Sequence, residues 1–295
     1  MTALQNQEPQ RWLFVWQDGT LLSNEDISVE DGVKYDSTFC SETDLTIGLT
    51  PSAQISFTML NKDFQWQDFG FGSFFAWLGV RTAYESNGSE STRHPTLTLT
   101  GNVLTVNGNG RLETYEMVPF GSFYADRPNI MRKVMIEVQA FDQMQLFEQQ
   151  MPSATALNIT YPVTAKALLQ AMCTYLGVTL GTTTFMNEGM TLAKAPDAFA
   201  TCSMREVLGW IAEAACSNAR FNRQGELVLS WLNPVNRSFD EHGYTQFEYT
   251  EYETTPVDKL SVRNEDSTSE VVITGETDSS PYMIQDNPFL KVGGS

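Results

Sequence analysis

The sequence predicts an α+β fold that is mainly β, with two β domains on either side of a smaller α+β domain. Three observations carry this. Apolar and polar residues alternate at a period of two through residues 12 to about 150, the period becomes helical between 158 and about 231, and β-type segments resume beyond Pro234. The expected domains are residues 1–155, 156–233 and 234–295.

In the first stretch, Gln54-Ile55-Ser56-Phe57-Thr58-Met59 puts apolar side chains on one face and polar ones on the other, the pattern of a half-buried antiparallel strand. Asp18-Gly19, Gly101-Asn102 and Asn107-Gly108-Asn109-Gly110 supply residues that tolerate positive φ, as tight hairpin turns require. Residues 96–100, 103–107 and 111–118 therefore read as a meander. Residues 64–78 break the alternation with seven aromatics, an aromatic-rich insertion in the first β domain. Core filling or a subunit contact explains them better than a sugar-stacking platform, because aromatics concentrate in buried interface centres. Trp66, Phe71, Phe74, Phe75 and Trp77 are the candidate interface residues.

In the middle stretch Thr164 can cap a helix whose apolar positions Ala165, Leu168, Leu169, Met172 and Leu176 follow helical spacing, and Gly177 stands where a left-handed terminal residue is needed. Val178-Thr179-Leu180 reads as a strand. Ser203-Met204-Arg205-Glu206 fits a capping box ahead of Val207, Leu208, Ile211, Ala212 and Ala215. A hairpin over 219–222 and 226–231 turns at Gln224-Gly225. In the third stretch residues 246–253, 259–263 and 269–275 read as strands, and the last three residues have linker composition.

A chain of 295 residues can bury roughly three quarters of its unfolded surface and needs no disulfide staples. It has no run of 18 apolar residues that could span a bilayer as a helix, and its first residues are polar rather than signal-like. The formal net charge is -18. Binding to a phosphate backbone needs Lys and Arg, so so acidic a chain is expected to repel nucleic acid. Residues 238–286 hold twelve acids and two bases, a balance of -10 that is more than half of the net charge. Cys40, Cys173, Cys202 and Cys216 form no Cys-x-x-Cys pair and are expected as free thiols. Cys173 and Cys216 lie near the helical stripes, where a core position is the default. With only His94 and His242, neither at ligand spacing, no metal site is expected, and no cofactor either.

Little in the chain looks like chemistry. Gly108-Asn109-Gly110-Arg111-Leu112-Glu113 lacks the third glycine of a dinucleotide loop and sits between strands. Glu251 and Glu253 share a strand face and could form an acid and base pair of glycosidase type, although such pairs are common on solvated strands. Asp266-Ser267-Thr268-Ser269-Glu270 has oxygen ligands for calcium but not the loop of an EF-hand, and His242 beside Glu241 has no nucleophile nearby. No catalytic residue is assigned.

Five marks, in order, carry a resemblance. They are Ile27-Ser28-Val29-Glu30 with residues 35–48 (Tyr-Asp-Ser-Thr-Phe-Cys-Ser-Glu-Thr-Asp-Leu-Thr-Ile-Gly) and 54–60; Pro119-Phe120-Gly121-Ser122-Phe123-Tyr124-Ala125-Asp126; residues 138–144; the helix and hairpin of 205–215 and 222–229; and Ile284-Gln285-Asp286-Asn287-Pro288-Phe289-Leu290. Together the chain resembles the phage tail baseplate hub family, including the N-terminal hub region of tail-associated lysins. The resemblance implies that the two β domains are barrel-like tube domains. It implies a homotrimeric ring at the tail tip of the virion, which continues the six-fold tail tube and meets tail-tube proteins above and a tip or fibre protein below. In that role the chain is structural and not an enzyme. It would be assembled in the host cytoplasm, without membrane insertion.

The acidic third stretch then takes on a mechanical meaning. Glu248, Glu251, Glu253, Glu265 and Glu270 are the candidate lining of a channel through which DNA passes at ejection without being bound. A duplex carries one negative charge per about 1.7 Å, and carboxylates repel it within roughly 8 Å at physiological salt. One departure stands out: the family usually continues past the Asn-Pro-Phe-Leu mark, so either this tube domain is short or the chain is part of a longer protein whose remainder could carry a lytic activity. The alternatives are a β-rich adhesin for cell-wall glycan, using the aromatics of 64–78, and the non-catalytic part of a cell-wall hydrolase.

Overall fold

The computed structural model describes residues 11–17, 20–22, 27–28, 33–38, 46–60, 73–86, 96–108, 111–125, 129–132, 135–231, 259–263, 270–274 and 287–289. The chain divides into two compact units. The first comprises Met1–Ser37, Ser52–Gln145 and Phe221–Gly225, and the second Thr38–Pro51, Leu146–Arg220 and Glu226–Ser295.

Among the described residues, the first unit holds one antiparallel sheet of ten strands: β1 (Arg11–Gln17), β2 (Thr20–Leu22), β3 (Lys34–Asp36), β4 (Gln54–Leu60), β5 (Ser73–Ser86), β6 (Thr96–Thr100), β7 (Val103–Gly108), β8 (Arg111–Ala125), β9 (Asn129–Arg132) and β10 (Met135–Asp142). The main path runs β2-β1-β5-β8-β10-β4-β3, and the β6–β7 hairpin joins it through β7 against β8. Alternation along β4 sends Ile55, Phe57 and Met59 inward, and Ile136, Val138 and Ala140 of β10 lie opposite Met59, Phe57 and Ile55 in register. With Phe74, Ala76 and Phe123 they make the principal core. A second cluster forms on the meander from Leu104, Val106, Tyr115 and Met117, with Trp77 against it.

The meander of the sequence reading is present, but β8 runs on without a break to Ala125. It passes Pro119 because the register shifts there: Ala76 faces Gly121 and Trp77 faces Pro119, leaving Phe120 as the extra residue of a bulge. A bulge is where a sheet tolerates proline, and Gly121 takes φ of 131°, which a side chain would resist. The barrel-like shape expected of this domain is not shown. Among the described residues the path ends at β2 and β3, each three residues long, and they do not pair with one another. The aromatic break also ends earlier than expected, since from Ser73 the chain is already in β5, paired with β1 and β8 on its two sides.

The second unit contains β11 (Val163–Thr164), α1 (Ala165–Leu176), β12 (Thr179–Leu180), β13 (Thr191–Leu192), α2 (Met204–Ala214), all but the last residue of β14 (Asn218–Phe221), β15 (Glu226–Ser230), β16 (Lys259–Arg263) and β17 (Glu270–Thr274). Thr164 Oγ1 accepts from Ala167 N at 3.1 Å, and Gly177 closes α1 at φ of 69°, as their chemistry predicts. The capping box of α2 is complete, with Glu206 N donating to Ser203 Oγ and Ser203 N donating to Glu206 Oε2. A Ser203→Ala variant is expected to lose about 1 kcal/mol, read as a small fall in urea midpoint with unchanged slope. Leu168, Leu169 and Met172 of α1 and Val207, Leu208 and Ile211 of α2 are buried. Strand order β12-β15-β14, with β12 parallel to β15, follows from the repeated helix-then-strand pattern. In the acidic stretch β16 and β17 pair antiparallel with Arg263 opposite Glu270 in register; apart from these strands and residues 287–289, the expected domain of 234–295 lies outside the described residues.

Among the described cysteines, placement departs from expectation at one position, and Cys40 lies outside the described residues. Cys173 is buried in α1, and burial pushes its thiol up to about 12. Cys202 is buried and its thiol is raised by desolvation, with Glu206 adding to it. Cys216, expected in the core, is exposed: α2 ends at Ala214, and Cys216 follows its cap at φ of 50°, off the helical stripe. In the native protein a thiol reagent should label Cys216 rapidly and leave Cys173 and Cys202 unmodified until denaturant is added, since the thiolate is the reacting form.

Candidate functional site

The polar groups of the second unit concentrate where a loop from early in the chain meets α2. Gly48 N donates to Ser217 O at 2.8 Å, Leu49 N to Asn218 Oδ1 at 2.9 Å, and Ala219 N to Leu49 O at 2.9 Å, so the loop lies along the start of β14. Arg205, on the first turn of α2, holds the loop from the other side. Its Nε donates to Thr50 O and Thr50 Oγ1 at 3.1 Å each, its Nη2 to Thr50 O at 2.6 Å, and its Nη1 to Glu148 Oε1. The planar guanidinium suits this task because its donors diverge in one rigid fork, which an ammonium lacks.

Close approach is the second requirement. Gly48 sits at φ of 80°, and a Cβ on it would stand 2.8 Å from Glu213 Cβ; a Cβ on Gly209 would stand 3.1 Å from Gly48 O. Asn287 then reaches the far end of α2, where its Nδ2 donates to Trp210 O and to Glu213 Oε2, both at 2.8 Å. Its Oδ1 accepts from Phe289 N at 3.0 Å, which folds Asn-Pro-Phe into a turn and seats Phe289 in a buried position. Three segments far apart in sequence therefore meet on one helix of three turns.

An open cleft of about 540 Å³ lies between the loop and α2, with Glu148 and Arg205 at one end and Trp210 and Glu213 at the other. Its charged groups are engaged in holding the fold: Glu148 with Arg205, Glu206 in the capping box, Glu213 with Asn287. Ser203 Oγ donates to Glu206 Oε2 at 3.0 Å. A nucleophile needs a free base beside it, and this arrangement instead fixes a loop and a turn on a helix. No group of three or more His, Cys, Asp or Glu side chains that could hold a metal occurs among the described residues.

The candidate residues of the sequence reading are placed as follows. Trp66 and Phe71, and Glu248, Glu251, Glu253 and Glu265, lie outside the described residues, as do His94 and His242. Glu270 opens β17. Phe74 is 3% exposed, edge-on to Phe57 at 6.0 Å and stacked with Phe123 at 5.9 Å, so its ring belongs to the core of its own unit. Phe75 and Trp77 lie half-buried on the opposite face of β5 with ring centroids 4.4 Å apart. Sequence reasoning missed the roles of Arg205, Gly48, Gly209 and Asn287. Each stands inside or beside a mark of the resemblance, but nothing in the spacing says that they meet.

No family model matches the chain, and no curated protein matches it. Among solved structures, the 43 kDa tail protein of prophage MuSo2 from Shewanella oneidensis is similar at 12% identity and a TM-score of 0.38. The match covers 75% of this chain and 55% of that one, so the chain spans about half the length of its structural neighbour. This is a distant likeness to a prophage tail protein.

Proposed function

We propose that the chain is a structural, non-enzymatic component of a phage tail, the baseplate hub, in which three copies form a ring that continues the tail tube at the tip. One observation carries the reading: three of the five marks of the family resemblance converge on α2. Gly48, which ends the first mark, packs on Gly209 and Glu213 of the helix mark, and Asn287 of the last mark bonds to Trp210 and Glu213. Residues that carry a resemblance and also hold one another in place are what a shared scaffold requires. A chance set of short likenesses would scatter over the surface.

The distant prophage tail likeness stands beside this. In the ring, the acidic stretch that includes Glu270 faces the passage and repels the duplex, so that DNA passes without being held. Electron-microscope class averages of the purified protein test the reading: three-fold rings with a central opening are expected. Particles without three-fold symmetry would set it aside.

A further inference from the structure

Strand β6 is an uncharged, self-complementary edge. Thr96-Leu97-Thr98-Leu99-Thr100 reads the same in both directions about Thr98, and among the described residues it pairs on one side only, with β7. Natural edges are usually blunted with charge, proline or a bulge, and residues 96–100 have none of these. The neighbouring β7 is also free of charge. In a chain of net charge -18 that is unusual, because most surfaces of two copies would bring carboxylates together on contact.

The side chains give the edge a direction. Leu99 lies opposite Leu104, so it shares the face of the second core cluster. Leu104 and Val106 are buried there, whereas Leu99 is 54% exposed at the border of that cluster and Thr98 is exposed on the other face. Among the described residues, no strand covers the outer side of β6.

We propose that β6 pairs antiparallel with β6 of a second copy about a two-fold axis at Thr98. Leu97 then lies opposite the second copy's Leu99 and Thr96 opposite its Thr100, so the exposed Leu99 gains an apolar cross-strand neighbour, and the backbone groups that have no partner strand among the described residues are paired. The contact is isologous and needs no ring, so it stands or falls apart from the hub reading. One five-residue ladder is a small interface, so the pairing is weak between free chains and strengthens where copies are held together.

Cysteine cross-linking tests the register. With Cys40 and Cys216 changed to serine, Thr98→Cys should give a disulfide-linked dimer under mild oxidation, because directly opposed strand residues stand about 4.5–5.5 Å apart at Cα, within disulfide reach. Thr96→Cys alone should not, since its own copy lies four residues along, roughly 13 Å. Thr96→Cys mixed with Thr100→Cys should link. Leu99→Lys, added to the Thr98→Cys chain, should cut the linking rate at least tenfold, with circular dichroism confirming a folded chain. Linking of Thr96→Cys as fast as Thr98→Cys, or no linking of Thr98→Cys, would overturn the proposal.

Discussion

An Asp142→Ala variant is expected to melt on the order of 10 °C below the parent protein. Asp142 is 4% exposed at the end of β10, and its carboxylate accepts from Ser52 Oγ at 2.7 Å, Ala53 N at 2.9 Å and Met144 N at 3.1 Å. Its own amide donates to Ala53 O at 2.9 Å, so one residue ties the segment before β4 to the turn that leaves β10. Truncation leaves buried donors without an acceptor, and hydrogen bonds to a charged group contribute more than neutral ones. The cost is about 3 kcal/mol, which in a unit of this size is on the order of 10 °C. Asp142→Asn keeps the shape and one acceptor oxygen and should lose roughly half as much. Thermal unfolding followed by near-ultraviolet circular dichroism reads both. An alanine variant that melts within a degree or two of the parent would show that the carboxylate does not anchor this junction.

Gly48→Ala carries the second large effect, in the other unit. The substitution meets two penalties at once: a left-handed backbone, costing about 1–2 kcal/mol, and a Cβ placed 2.8 Å from Glu213 Cβ on a helix that cannot give way freely. Overpacking of this kind adds about 1–3 kcal/mol. Gly177→Ala provides the internal control, because Gly177 is also left-handed at φ of 69° but a Cβ there meets nothing within 4 Å. The urea midpoint should therefore fall more for Gly48→Ala than for Gly177→Ala, and the difference measures the contact with α2. Equal losses would mean that the loop does not press on the helix.

These two sites differ in how much the sequence says about them. The helices were legible because their signals are local: Thr164 and Gly177 bracket α1, and Ser203 with Glu206 starts α2. The β6–β7–β8 meander was legible for the same reason, through Gly101-Asn102 and the glycine-rich turn after it, and residues 259–263 were recognised as a strand by their alternation. Residues 111–118 and the strand that the resemblance implies over 119–126 are one strand, β8, because Pro119 falls at a bulge that only the pairing with β5 reveals. Cys216 misled because it lies one residue past the helix cap, where helical spacing no longer predicts burial.

The site around α2 was not legible at all. Arg205 and Thr50 are 155 residues apart, and Asn287 and Trp210 are 77 apart. Pairing at that range is fixed by tertiary packing and leaves no periodic trace. Only the order of the resembling segments hinted that they belong together.

The central claim is that the chain builds a three-fold ring, and closed symmetry makes stoichiometry its most direct test. Light scattering on the eluting peak across a range of concentrations measures it. From a chain of 33.0 kDa the account predicts a species of about 99 kDa, or twice that where β6 edges join two rings. A mass that stays at one chain, or stops at two, at every concentration would contradict it.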